Sequence, residues 1–248
     1  MNYIIFDLEF NQAWDFEEHT SPVNSKYPFE IVQISALKLD ENLQSLSTFD
    51  RLVKPELYTG LHPFIEQITG ISIEDLASAK AFKEIYEEFI QLISPESILC
   101  MWGISDMKEL LRNAKYHNLD TSIIPDKYIN IQLYASRYLH CPKGTNVGLR
   151  NAVELFNIPP GGRFHDAFND ACYTAEVFRR IYSHDIKPAL YHSNKEIRLT
   201  GTTKKTKLDT DALIKQFEKM YNRQMTEEER SIIKLAYIMG KTSQFQSE

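Results

Sequence analysis

The sequence has few cysteines, and their spacing argues against two common uses of the residue. Cys100, Cys141 and Cys172 are an odd number, lie far apart and form no CxxC pair. A disulfide framework or a cysteine-based zinc site needs paired, closely spaced cysteines. We therefore expect reduced, partly buried thiols, as in a cytoplasmic protein.

Long hydrophobic runs are also missing. No stretch approaches the roughly 20 apolar residues that a transmembrane helix needs. The first ten residues, MNYIIFDLEF, lack a basic start, and Asp7 interrupts their apolar run. These features predict a protein with no membrane span and no signal peptide.

An excess of positive charge is absent as well. The 28 basic and 34 acidic residues give a net charge of −6, which argues against a protein that coats nucleic acid. An enzyme that holds one strand end stays possible, because local charge and bound metal set the potential of a site. Residues 187–208 are locally basic, as expected for a solvated linker or a phosphate-facing strip.

The order of predicted elements indicates a mixed α/β fold. Strand patterns come first in a meander and then alternate with helical patterns, which favours a sheet covered by helices on both faces. Five segments have strand patterns: YIIFDLEF, FEIVQISALKLD, SLSTFDRLVKP, SILCMW and KYINI. Four segments have helical patterns: IEDLASAKAFKEIYEEFIQLI, SDMKELLRNAKYHNL, NVGLRNAVELFNI and HDAFNDACYTAEVFRRIYS.

The chain divides into three parts by composition. Residues 1–185 form the predicted α/β domain, residues 186–208 a basic linker, and residues 209–248 a small helical appendage. Within the appendage, Thr226 followed three residues later by Glu229 has the spacing of a capping box.

Two acids lie inside the first predicted strand, which is otherwise apolar on both faces. Asp7 and Glu9 share one face with Tyr3 and Ile5, because successive side chains of a strand point to opposite sides. Buried carboxylates cost several kcal/mol unless they are paired, hydrogen-bonded or bound to a cation. The pair therefore indicates either a strand that leaves the core at Asp7 or a site for a divalent metal ion.

Further acids follow at positions that can complete such a site. Asp106 follows the buried strand SILCMW at the turn from strand to helix, where it could bind a ligand or favour a helix N-terminus. Asp170 lies on the otherwise apolar stripe of the last predicted core helix. His165 precedes it by five residues, and this spacing places the histidine in the loop before the helix.

These motifs resemble those of the DEDDh 3′-5′ exonucleases. The matching segments are FDLEF, WGISDMKEL and HDAFNDA, together with HPFIEQITGIS between the first two. Over residues 1–185 the chain is similar in particular to the subgroup of the histone-mRNA 3′ exonuclease and KapD.

The resemblance implies an RNase H-like fold and a metal-dependent activity on the 3′ ends of single-stranded RNA or DNA. It implies two divalent cations, Mg²⁺ or Mn²⁺, and His165 as the general base. The implied metal ligands are Asp7, Glu9, Asp106 and Asp170. The residues implied to lie beside the terminal nucleotide are Phe10, Thr69, Gly70 and Ile71, although Ile71 also fits an ordinary core position.

Two other functions fit parts of the sequence. A nucleic-acid-binding adaptor on a catalytically degenerate exonuclease fold would use the basic segment and the C-terminal helices, which could also form a homodimer or bind a protein partner. A phosphatase can also begin with a strand that ends in two acids, but it requires a supporting lysine that does not stand out here.

Overall fold

The structure, a computed structural model, describes most of the chain. The described residues are 1–14, 26–58, 60–142, 144–191, 214, 215, 217, 218, 223–226, 229, 230 and 233. The chain divides into two compact units, Met1–His192 and Ser193–Glu248. Among the described residues, no helix has both the length and the apolar character needed to cross a bilayer.

A mixed seven-stranded sheet forms the centre of the first unit, in the order β4-β3-β2-β1-β5-β6-β7. Its strands are β1 (Tyr3–Asn11), β2 (Glu30–Leu39), β3 (Ser45–Lys54), β4 (Lys80–Ala81), β5 (Ile98–Met101), β6 (Lys127–Asn130) and β7 (Ala189–Leu190). The five predicted strands are confirmed as the central five. The edge strands β4 and β7 have two residues each, which is too short for a periodic pattern. β7 lies within the segment predicted as a linker.

Seven helices accompany the sheet in the described part of the first unit. They are α1 (Pro63–Thr69), α2 (Ile73–Ala77), α3 (Phe82–Leu92), α4 (Ser105–Tyr116), α5 (Ile131–Tyr138), α6 (Leu149–Leu155) and α7 (Ala167–Ile181). The prediction of one long helix from residue 73 to 93 was wrong. The chain leaves the helix after Ala77, and β4 pairs in parallel with Val53 and Lys54 before α3 begins.

Side chains of β1 alternate between two apolar cores. Tyr3 and Ile5 pack on the face covered by α5, α6 and α7. Ile4, Phe6 and Leu8 pack on the face covered by α3 and α4. This arrangement confirms the prediction of helices on both faces, and it explains why β1 is apolar on each side.

Buried polar contacts fix the two helices that carry acids to the sheet. Asn113 of α4 accepts a hydrogen bond from the Ile31 N–H at 3.1 Å. The Ala167 N–H at the start of α7 donates to the Gln33 side chain of β2 at 3.2 Å. Because β1 and β5 are parallel neighbours, their carboxyl ends lie at the same edge of the sheet.

The described residues of the second unit contain the predicted capping box. Thr226 Oγ1 accepts a hydrogen bond from the Glu229 N–H, and the Glu229 carboxylate accepts one from the Thr226 N–H. This reciprocal pair satisfies two amide groups at the start of a helix.

Candidate active site

The first strand brings two carboxylates to the carboxyl edge of the sheet. Asp7 and Glu9 are half-buried and continue the face of β1 that packs against α7. The pairing of β1 with β2 shifts register between Glu9 and Phe10, which marks a β-bulge directly after the second acid. Bulges of this kind re-aim side chains at the rim of a sheet.

The second element of the site is the start of α4. Asp106 lies in its first turn, five residues after the end of β5, and only 7% of its surface is exposed. The N-cap of this helix is Ile104, whose side chain makes no capping hydrogen bond, and Ser105 is the first helical residue.

The third element is the loop leading into α7. Asp166 is the N-cap of this helix, and its side chain accepts a hydrogen bond from the Asn169 N–H. Asp170 follows in the first turn and is 9% exposed. His165 lies in the loop with a left-handed backbone (φ 63°), and its N–H donates to Asp170 Oδ2 at 3.1 Å.

These elements bring the predicted residues together. Possible ligand atoms of Glu9, His165 and Asp170 all lie within 4.8 Å of one another. Asp7 and Asp106 are close enough to this group for their charges to act on it and on each other. Asp170 Oδ1 is buried and has no hydrogen-bond partner among the described residues.

Burial and mutual repulsion raise the pKa values of all four acids. Burial, followed by the charges of Asp170 and Asp106, raises the pKa of Glu9 to about 8. Burial raises the pKa of Asp106 to about 7 and that of Asp170 to about 6. The pKa of Asp7 is raised well above its ordinary value by burial and by the other three acids. Four charged carboxylates therefore need a compensating positive charge.

Hard divalent cations fit this set of residues. Carboxylate oxygens are the ligands that Mg²⁺ and Mn²⁺ prefer in proteins. The partnerless Asp170 Oδ1 is a buried acceptor that a cation would satisfy.

The histidine differs from the acids in its charge state. Burial, followed by the positive charge of Arg150, lowers the pKa of His165 below its ordinary value of 6.5. The imidazole is therefore neutral at neutral pH and can accept a proton.

The residues implied for nucleotide contact differ in exposure. Phe10 is half-buried and packs on Phe29, with ring centroids 5.7 Å apart. Gly70 is exposed and ends α1 in a left-handed conformation. Thr69 is fully buried, and Ile71 is buried in a small cluster with Val32, Leu61 and Leu76.

Three further residues shape the site and were not predicted from the sequence. Gln33 of β2 faces Glu9 in the strand register and holds the start of α7. Arg150 and Arg163 place positive charge near the acids and the histidine. Arg163 lies two residues before His165, and this short spacing is a signal in the sequence that it could belong to the site. The contacts of Gln33 and Arg150 depend on the fold and have no such signal.

Comparison with known proteins identifies the family. Residues 4–178 match the sequence model of the exonuclease family RNase_T. The chain therefore belongs to this family, as the motif resemblance predicted.

One relative and two solved structures illustrate the similarity. The 3′-5′ exonuclease crn-4 of Caenorhabditis elegans is 27% identical over 183 residues, which cover 67% of this chain and 61% of the relative's length. The nuclease domain of 3′hExo, a DEDDh family member bound to rAMP, superposes with a TM-score of 0.64 at 21% identity, covering 77% of this chain and 96% of that chain. The Mg²⁺- and Mn²⁺-bound form of Pop2p from S. pombe has a TM-score of 0.54 at 18% identity, covering 74% and 83%. These two structures show a shared fold.

The raised pKa values predict how the stability of the metal-free protein depends on pH. An acid whose pKa is higher in the folded than in the unfolded state holds a proton that the unfolded chain has lost, so stability falls as pH rises through the folded pKa. With pKa values of about 7 and 8 for Asp106 and Glu9, the melting temperature in EDTA should fall by several degrees from pH 7 to pH 9. Differential scanning calorimetry measures this dependence.

The Glu9→Gln variant should flatten the decrease, whereas a Glu66→Gln control on the exposed surface of α1 should follow the wild type. A melting temperature independent of pH in this range would contradict the account of the carboxylate cluster.

Proposed function

We propose that the chain is a metal-dependent 3′-5′ exonuclease that removes nucleoside 5′-monophosphates from the 3′ ends of single-stranded RNA or DNA. The observation that carries this proposal is the convergence of four carboxyl groups and a neutral histidine at one edge of the sheet. Membership of the exonuclease family and the similarity to crn-4 support it. The chain spans 61% of the length of crn-4. The exonuclease activity of that relative is therefore assigned to this chain only as part of the proposal.

The four acids would hold two divalent cations, Mg²⁺ or Mn²⁺. Such a pair supplies positive charge to the scissile phosphate and makes water a better nucleophile at neutral pH. The metal-bound form of the Pop2p structure supports the choice of ions. Asp7 and Glu9 would provide ligands from the sheet, and Asp106 and Asp170 from the starts of two helices.

His165 would act as the general base. Its neutral ring would take a proton from the attacking water as the new oxygen–phosphorus bond forms and the bond to the 3′ oxygen of the preceding nucleotide breaks. The hydrogen bond from its backbone N–H to Asp170 ties the position of the histidine to a carboxylate of the site. A proton supplied to the leaving 3′ oxygen completes the reaction.

The terminal nucleotide would lie between Phe10 and the turn formed by Thr69, Gly70 and Ile71. Phe10 and Gly70 offer accessible surface. Thr69 and Ile71 support the turn from beneath, because the Thr69 hydroxyl accepts from the Ile71 N–H and Ile71 is buried. Stacking on an aromatic ring tolerates any base, so we expect little sequence preference.

The remaining predictions concern the context of the enzyme. A cytoplasmic location, a basic linker at residues 186–208 and a homodimer or protein partner bound through helices in 209–248 stay predictions. An adaptor without activity is the alternative, and the complete set of acids argues against it.

The proposed reaction is tested with 5′-labelled single-stranded RNA and DNA in Mg²⁺ or Mn²⁺. We expect a ladder of products that shortens by one nucleotide at a time from the 3′ end. His165→Ala should reduce the rate by roughly 10²- to 10⁴-fold, the usual contribution of general base catalysis. Asp7→Ala should abolish cleavage, because the metal centre loses a central ligand. Binding without cleavage by the wild type would instead favour the adaptor.

A second experiment tests the nucleotide contact. Phe10→Ala should raise KM for single strands about tenfold or more, since stacking of one base on an aromatic ring contributes roughly 1–3 kcal/mol. Phe29→Ala, which removes the ring that packs on Phe10, serves as the matched control for disturbed packing. If both variants raise KM equally, the effect belongs to packing and the contact is withdrawn.

A further inference from the structure

The loop that carries His165 is held firmly by side chains of α7. The Tyr173 hydroxyl accepts hydrogen bonds from the N–H groups of Gly161 and Gly162 at 2.9 and 3.0 Å. The Asn169 side-chain amide donates to the Arg163 carbonyl oxygen at 3.1 Å. The backbone of residues 161–163 is thus fixed relative to the helix that carries Asp170, and the side chains of this loop start from defined positions.

The Arg163 side chain lies across the turn at the end of α1. Its guanidinium donates a hydrogen bond to the carbonyl oxygen of Thr69. A Cβ added to Gly70 would collide with the same guanidinium, and the left-handed backbone of Gly70 also disfavours any side chain. The bare backbone of Gly70 therefore gives the arginine its place beside the proposed nucleotide site.

The second arginine, Arg150, contacts the residue directly before the histidine. Arg150 of α6 stacks over the ring of Phe164, with its Cζ atom 4.8 Å from the ring centroid. Phe164 stacks in turn on Tyr173 at 4.8 Å. Phe164 directly precedes His165, so the guanidinium of Arg150 is anchored next to the proposed general base, while that of Arg163 is anchored at the turn after α1.

Neither arginine has an acidic partner within salt-bridge distance in the part of the chain that the structure describes. Other arginines do: Arg51 pairs with Glu88, and Arg180 pairs with Glu176. Arg150 and Arg163 are exposed, and each guanidinium has five N–H donors in a planar fork that suits phosphate oxygens. Each is anchored by a contact that leaves most of these donors unused.

We propose that Arg150 and Arg163 bind the phosphodiester backbone of the substrate strand next to the phosphate that is cleaved. This inference rests on the proposed exonuclease function and assigns part of its substrate site. The arginines are not paired with the carboxylates, so they are placed to bind the neighbouring part of the strand rather than the scissile phosphate. Contacts to phosphate carry no base information, and both RNA and DNA would use them.

The salt dependence of binding tests the assignment directly. The probes are 5′-fluorescein-labelled single-stranded RNA and DNA 12-mers with 3′-terminal phosphorothioate linkages, measured by anisotropy in Ca²⁺ over a range of KCl concentrations. Arg150→Ala and Arg163→Ala should each weaken binding several-fold. Each should also make the negative slope of log K against log salt shallower by about 0.7, the value for one phosphate contact of a single strand. The double variant should make it shallower by about twice as much.

Arg51→Ala is the matched control, because Arg51 also stacks on an aromatic ring but is paired with Glu88. It should leave the affinity and the slope unchanged. Arg163→Lys keeps the charge and should keep the slope. An unchanged slope in both alanine variants, or an equal decrease in the control, would overturn the proposal.

A small substrate separates this proposal from the proposed function. The p-nitrophenyl ester of thymidine 5′-monophosphate has one phosphodiester and no neighbouring phosphate. The alanine variants should lose at least fivefold more kcat/KM on the oligonucleotides than on this ester, because only the oligonucleotides carry the neighbouring phosphates. An equal loss on both substrates would place the arginines at the scissile phosphate and overturn the assignment. If the wild type cleaved neither substrate, the exonuclease proposal would fail, while the salt slopes would still decide whether the arginines bind phosphate.

Discussion

Four carboxyl groups share one edge of the sheet, and their mutual repulsion is the constraint on which the site depends. Burial alone raises the pKa of each acid, and the neighbouring acids raise it further. Such an arrangement is costly to fold without a compensating charge. The rigid surroundings oppose its relaxation: β1 lies between two strands, Asn113 ties α4 to β2, and Gln33 ties α7 to β2. The fold thus keeps the four carboxyl groups close together despite their repulsion, and bound divalent cations would compensate their negative charge.

The positive groups around this centre follow a different logic. Arg150 and Arg163 lie close enough to influence the pKa values of His165 and Glu9, yet among the described residues neither forms an ion pair with an acid. Their contacts are a ring face and a backbone carbonyl. A site arranged in this way would keep its acids available for metal and its arginines available for phosphate, so both charge types would contribute to binding a polyanion. The net charge of −6 hides this local separation.

The parts of the structure that the sequence predicted are those with a pattern or a strong physical cost. The apolar run around Asp7 and Glu9 indicated a central strand with two expensive acids, and the spacing of Asp170 and His165 separated a helix residue from a loop residue. The sequence could not predict β4, because a two-residue strand has no period and depends on Val53 and Lys54 as partners. Gln33 and Arg150 were missed for a related reason: their contacts join residues that are far apart in the chain. The burial of Ile71 depends on three other residues of its cluster, so its sequence position left two interpretations open.

Metal binding with proton release would show whether the carboxylate cluster is a metal centre. Titration calorimetry with Mn²⁺ near pH 7, repeated in buffers of different ionisation enthalpy, gives both the number of ions bound and the number of protons displaced. We expect about two ions per chain and a net release of protons, because acids with pKa values of about 7 and 8 are partly protonated before the metal binds. The Asp7→Asn variant should lose at least one ion. Absence of binding, or binding without proton release that Asp7→Asn leaves unchanged, would contradict the interpretation of the carboxylate cluster as a metal centre.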